Sequence, residues 1–170
     1  MSEYLVISAS LRSNSLSRRL GELLTSELGA NAELIDLRDY PLSLCDGEAA
    51  YGNPNVEKLG QKIKAARVIL VATPIYNYDA NAAVKNAIEL TGKAWEDKIV
   101  GFACAAGGQS SYMSIMGLAN SLMLDFRCVI IPRFVYATGA DFTDNQISSS
   151  EVQRRVKQLA ESARRLGYRD

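Results

Sequence analysis

The sequence predicts an α/β fold, a three-layer sandwich in which one five-stranded parallel sheet, ordered 2-1-3-4-5, carries helices on both faces. Two observations predict it. Short, continuous, β-prone apolar runs recur along the chain, the mark of strands buried on both sides. Each run gives way to a polar loop and then to apolar residues at helical spacing, and five such alternations with right-handed crossovers leave few other solutions.

The first strand is Tyr4 to Ile7, ending at Ser8. Ser10, Arg12, Ser13, Asn14, Ser15 and Ser17 follow, and Leu16, Leu20, Leu23, Leu24 and Leu28 mark the first helix. Ala32 to Asp36 reads as the second strand. Leu37 to Asn55, with Pro41, Gly47, Gly52 and Pro54, is a polar connection suited to an active-site flank or a dimer contact. Val56, Leu59, Ile63 and Ala66 give the second helix, and Val68 to Ala72 the third strand, ended by Thr73 and Pro74. A helix from Ala82 to Thr91 precedes the fourth strand, Ile99 to Ala105. Gly107 and Gly108 then lead into a helix over Ser110 to Asp125. Cys128 to Ile131 is the fifth strand, closed by Pro132. In the last helix, Glu151 to Leu166, the residues Val152, Val156, Leu159, Ala160, Ala163 and Leu166 share one side. The whole chain, 1–170, reads as a single domain without repeats, large enough to bury about two thirds of its unfolded surface.

Composition removes several function classes. Lys plus Arg and Asp plus Glu balance at 19 each, so no global field draws the protein to nucleic acid or an anionic membrane. Histidine is absent, which takes away the commonest base for a serine or cysteine nucleophile and the commonest zinc ligand. The three cysteines, Cys45, Cys104 and Cys128, lack C-x-x-C spacing, and the latter two lie in apolar runs as small core residues. No metal site is expected. The N-terminus, MSEYLVIS, opens with an acid and without a basic flank, so it does not read as a signal peptide, and the cytoplasm is the expected compartment.

The chemistry lies in three loops. In this strand order the carboxyl ends of strands one, three and four meet at the point where the order reverses, and their loops share one ligand. After strand one, hydroxyls and a guanidinium sit at a helix N-terminus, where free N–H groups and the dipole favour an anion. The plainer reading makes Ser13, Asn14 and Ser15 an N-cap cluster and Arg12 a solvated charge; the position after the first buried strand favours a phosphate. Neither G-x-G-x-x-G nor the Walker pattern is present, which points to a mononucleotide. After strand three, Thr73 to Asn81 (TPIYNYDAN) offers two tyrosines and an asparagine behind a proline. After strand four, AAGGQSS brings two glycines that permit close backbone approach. Tyr76 and Tyr78 as covers of a sheet edge, and the glycines as a plain turn, are the alternatives. Together the loops suit a flat, phosphorylated heterocycle, FMN foremost.

Those same motifs resemble the NADPH-dependent FMN reductase family of flavodoxin-like proteins, from about Tyr4 to Tyr136. SLRSNS at Ser10 to Ser15 resembles the family's S-x-R-x-x-S loop, TPIYNY its T-P-x-Y-N loop, and VKNAIEL its following helix. The resemblance implies that Ser10, Arg12, Ser15 and Ser17 hold the phosphate, that Pro74, Ile75, Tyr76 and Asn77 line the isoalloxazine, and that Gly107, Gly108 and Gln109 meet its polar edge. Ala9, Ser17 and Ile75 depart from the family's usual glycine, asparagine and glutamate. The implied activity is hydride transfer from NADPH or NADH to FMN and on to free flavin, a quinone, an azo compound or a metal ion, with no catalytic side chain. A flavodoxin-type electron carrier and a regulatory module of the same fold are the alternatives. Finally, Tyr112, Met113, Ile115, Met116, Leu118, Ala119, Leu122, Met123 and Leu124 leave the 110–125 helix almost no polar face, which predicts a homodimer or tetramer through it, unless 132–144 of the same chain covers it.

Overall fold

The structure, a computed structural model, describes residues 3–168. Strand β1 (Tyr4–Ser8) lies between β2 (Ala32–Asp36) and β3 (Val68–Tyr76), and β5 (Ile99–Ala106) pairs with the far side of β3, all in parallel. The outer edge beside β5 is shared by β6 (Val129–Ile130) and β7 (Val135–Thr138). Taken as one interrupted strand, they complete the expected 2-1-3-4-5 order. Helices α1 (Leu16–Leu28) and α5 (Ser150–Gly167) cover one face, with Leu20, Leu24, Val156 and Leu159 packed on Val6, Leu70 and Ala103. Helices α2 (Pro54–Ala65), α3 (Ala82–Thr91) and α4 (Met116–Phe126) cover the other, over Ile7, Ile69, Val71, Phe102 and Trp95. Among the described residues no helix is long and apolar enough to cross a membrane.

Three elements differ from the sequence-based expectation. Thr73 and Pro74 do not end β3, which runs on to Tyr76. Ala72 turns its carbonyl towards β1, where it accepts from Ala9 N–H at 2.9 Å. Two residues on, Pro74 turns its donorless nitrogen to the same side, but β1 has ended at Ser8, so no ladder bond is lost. Past Tyr76 the chain folds back through Asn77 and Tyr78, both at positive φ (49° and 65°), into the two-residue antiparallel strand β4 (Asp79–Ala80).

The fifth strand was expected over Cys128 to Ile131 and ends there only locally. β6 pairs Val129 with Ile99 and β7 pairs Val135 with Ala103, so the edge takes six residues to span the four of β5. Pro132 sits in that bulge, where a missing donor is tolerated. The buried run Val135 to Thr138 was not anticipated, because Pro132 reads as a stop.

Helix α4 begins at Met116, not Ser110. Residues Gln109–Ser111 form a 3-10 turn, and the bonds Ser114 N–H to Ser111 O and Met116 N–H to Met113 O keep the chain in tight i→i+3 turns before the first α-helical bond, Ala119 N–H to Ile115 O. Apolar periodicity alone does not separate the two turn types. Nor is the segment buried all round. Ile115, Leu118, Ala119 and Leu122 face the core, while Met113, Met116, Met123 and Leu124 are exposed, Leu124 at 77%. From the 132–144 segment, Phe134 and Tyr136 reach only Tyr112 by ring contact.

The polar connection 37–53 is anchored. Asn86 on α3 donates to Ser43 O and accepts from Cys45 N–H, and Asn53 and Asn55 both donate to Pro41 O. Cys104 and Cys128 are core residues; burial pushes the Cys104 thiol up to about 12 and the Cys128 thiol up to about 11, so neither is a nucleophile.

Candidate functional site

The carboxyl ends of β1, β3 and β5 surround a cavity of about 650 Å³, within the size range of cofactor sites. From the loop after β1 it takes Ser10, Arg12, Ser15 and Ser17, and from β3 and its turn Pro74, Ile75, Tyr76 and Asn77. From β5 come Ala105, Ala106 and Gly107. Three loops distant in sequence thus share one space, as the strand order requires.

The loop after β1 is held from within. Ser10 Oγ accepts from Arg12 N–H at 3.3 Å, and Ser15 is the N-cap of α1, accepting from Arg18 N–H at 3.3 Å while its hydroxyl meets that of Ser17 at 2.9 Å. Capping and site lining therefore coexist at Ser15. Ser10, Ser15 and Ser17 are buried, whereas Ser13 and Asn14 are exposed and outside the cavity lining.

Nearby charge is unevenly spent. Arg18 and Arg38 both bind Asp36, at 2.6 and 2.9 Å, and Arg18 and Arg19 bind Glu22. Burial alone would raise the Asp36 carboxyl, but hydrogen bonds from the Arg38 side chain and backbone, with the two guanidinium charges, hold it below the usual range. Arg12 is exposed and has no carboxylate partner among the described residues. Among the described residues no acid lines the cavity, so Arg12 faces the space uncompensated there.

Ile75 is 7% exposed, packs in the core and contributes to the cavity wall. Tyr76 is 48% exposed at the cavity wall. Tyr78 lies outside the lining, on the tip of the turn. The roots of the two loops are tied together. Asn81 donates to Ala9 O at 2.7 Å and accepts from Thr73 Oγ1 at 3.0 Å, all within the buried interior.

Two of the residues expected at the glycine edge stand apart. Gly108 does not line the cavity; its carbonyl accepts from Tyr136 Oη at 2.5 Å. Gln109 opens the 3-10 turn and is exposed. In exchange, Leu16 and Gly139 join the lining. Gly139 follows β7, the strand hidden by Pro132, and had no signal in the sequence. Leu16 was legible as the first helical residue beside two site serines. A Cβ at Gly107 or Gly139 would meet no heavy atom within 4 Å, so both border open space.

The donor set fits a phosphorylated flat ring: an uncompensated guanidinium, buried hydroxyls and a helix N-terminus at one end, and an aromatic and aliphatic wall with glycine backbone at the other.

The family model for NADPH-dependent FMN reductase matches residues 3–143. An NAD(P)H-dependent FAD/FMN reductase of Geobacillus thermodenitrificans is 31% identical over 132 residues, covering 75% of this chain and 71% of the relative. An NADH-dependent FMN reductase of Pseudomonas fluorescens is 29% identical over 150 residues, covering 87% and 80%. Among solved structures, the NAD(P)H:(acceptor) oxidoreductase FerB of Paracoccus denitrificans superposes with a TM-score of 0.76 at 20% identity, covering 95% of this chain and 94% of that one. At that identity the likeness speaks for the fold.

Proposed function

The chain belongs to the NADPH-dependent FMN reductase family, and on that premise we propose that it binds FMN and oxidises NADPH or NADH, delivering electrons to a small-molecule acceptor. Free flavin, a quinone, an azo compound and an oxidised metal ion are the acceptor classes. The observation that carries the reading is the acid-free cavity with Arg12 unpaired at one end and Tyr76 exposed at the other.

In this reading Arg12, Ser10, Ser15, Ser17 and the N-terminus of α1 hold the phosphate, where the guanidinium makes charge-assisted bonds. Pro74, Ile75, Tyr76 and Asn77 line the isoalloxazine. Gly107 meets its polar edge, with Gly108 and Gln109 setting that loop from behind. FMN supplies the hydride chemistry when bound, and the protein's part is to bind, orient and leave room. Small residues at 105–107 support one open ring face on which a nicotinamide stacks. No side chain acts as acid or base.

The whole chain works as one flavodoxin-like domain, and the exposed Met113, Met116, Met123 and Leu124 support a homodimer, or a dimer of dimers, through α4. Balanced charge and three free thiols support a cytoplasmic setting. The test is steady-state turnover: purified protein with FMN oxidises NADPH or NADH when free flavin, a quinone, an azo dye or ferric chelate is supplied. FMN binding without oxidation of either nucleotide by any acceptor would overturn the reading in favour of a carrier.

A further inference from the structure

Asn81 stands at the N-cap of α3, a position that asparagine commonly serves by bonding the first free N–H groups of the helix. Here its side chain makes no cap bond and is spent elsewhere. At 5% exposure, its amide nitrogen donates to Ala9 O at 2.7 Å and its amide oxygen accepts from Thr73 Oγ1 at 3.0 Å. Ala9 immediately precedes Ser10, the first residue of the site loop after β1. Thr73 immediately precedes Pro74, the first residue of the wall loop, and Asn81 itself closes that loop after β4. One buried amide therefore joins the entry of one loop to both the entry and the exit of the other.

Resting on the FMN reading, we infer that Asn81 is a positioning residue: it fixes the spacing between the phosphate grip and the ring wall, so that one molecule engages both at once. It does not line the cavity itself. The backbone gives a partial version of the same tie, since Ala9 N–H bonds Ala72 O at 2.9 Å, but that bond holds only β1 to β3 and does not tie the exit of the wall loop to β1. Without the Asn81 amide, the carbonyl of Ala9 loses its buried donor and the wall loop loses its anchor at the exit. Each loop keeps its own internal bonds, Ser10 to Arg12 and Ser15 to Ser17 in one, and the β3–β4 pairing in the other. The loss is thus expected in the joint use of the two loops more than in either alone.

The distinguishing ligands are FMN, which spans both loops, and lumiflavin, which has the ring without the phosphate chain. In fluorescence titrations of apoprotein, Asn81→Ala is expected to weaken FMN about tenfold or more while lumiflavin changes less than about threefold. Thr73→Val, which removes the hydroxyl shared between Asn81 Oδ1 and Pro74 O with little change of shape, shifts FMN in the same direction by less, and keeps the test available if Asn81→Ala does not fold. A double-mutant cycle reads the coupling directly: Arg12→Ala costs less in the Asn81→Ala background than in the wild type, because the grip and the wall no longer act on a fixed span. Wild-type FMN affinity in both variants, or equal losses for FMN and lumiflavin with additive Arg12 and Asn81 effects, would overturn the inference and leave the FMN reading intact. A wild-type protein that binds no FMN would overturn both.

Discussion

Arg12 is the side chain on which the proposed phosphate recognition turns, because the guanidinium groups of Arg18, Arg19 and Arg38 are committed to Glu22 and Asp36. Arg12→Ala is expected to cost on the order of 1.5–3 kcal/mol, about ten- to more than a hundredfold, in FMN affinity and nothing in riboflavin affinity. Equal weakening of both flavins in a binding titration would make Arg12 a surface charge. Asp36 gives a second test. Its carboxyl is held below its ordinary value of 3.8, so the stability it contributes is complete above that value and is lost as pH falls through the lower, folded one. The stability gap between wild type and Asp36→Asn, from denaturant unfolding, should be flat from neutral pH to about pH 5 and close below about pH 4. Nine of the eleven site residues named from the sequence line the cavity, since strand ends and polar loops are local features that a linear reading captures. Gly108 and Gln109 stand outside the lining, and the Gly108 carbonyl is taken by Tyr136, a partner 28 residues away whose strand is not visible in the sequence.

At the level of elements, the apolar runs ahead of a proline were legible and the stretches of strand at or beyond it were not. Pro74 lies inside β3 and Pro132 between β6 and β7, each tolerated only because of what pairs, or does not pair, on one side. That is tertiary information. The turn after β3 is equally instructive: its two central residues both have positive φ, which suits Asn77 and strains Tyr78. A left-handed non-glycine residue costs about 1–2 kcal/mol, and glycine gives back about 0.5–1 in unfolded-state entropy. Tyr78→Gly should therefore stabilise the fold by up to about 1 kcal/mol in urea unfolding. A loss of stability instead would show that the Tyr78 ring makes contacts that outweigh the strain.

For the molecule as a whole, the fold places three loops around one cavity and leaves Met116, Met123 and Leu124 exposed on the outer side of α4. Light scattering at micromolar concentration should give at least twice the mass of one chain, and Leu124→Lys should shift the population towards monomer. A monomeric wild type would contradict assembly through α4. The periodicity of 110–125 showed that this segment is apolar, but which residues meet the core and which meet solvent depended on where the 3-10 turns end. The central claim, an FMN site open to a nicotinamide, is tested most directly by anaerobic spectroscopy of the FMN-loaded protein. The account predicts that NADPH or NADH alone bleaches the visible flavin absorbance in one two-electron step, and that a quinone or excess FMN restores it. Absorbance left unchanged by both nucleotides, yet bleached by dithionite, would contradict it.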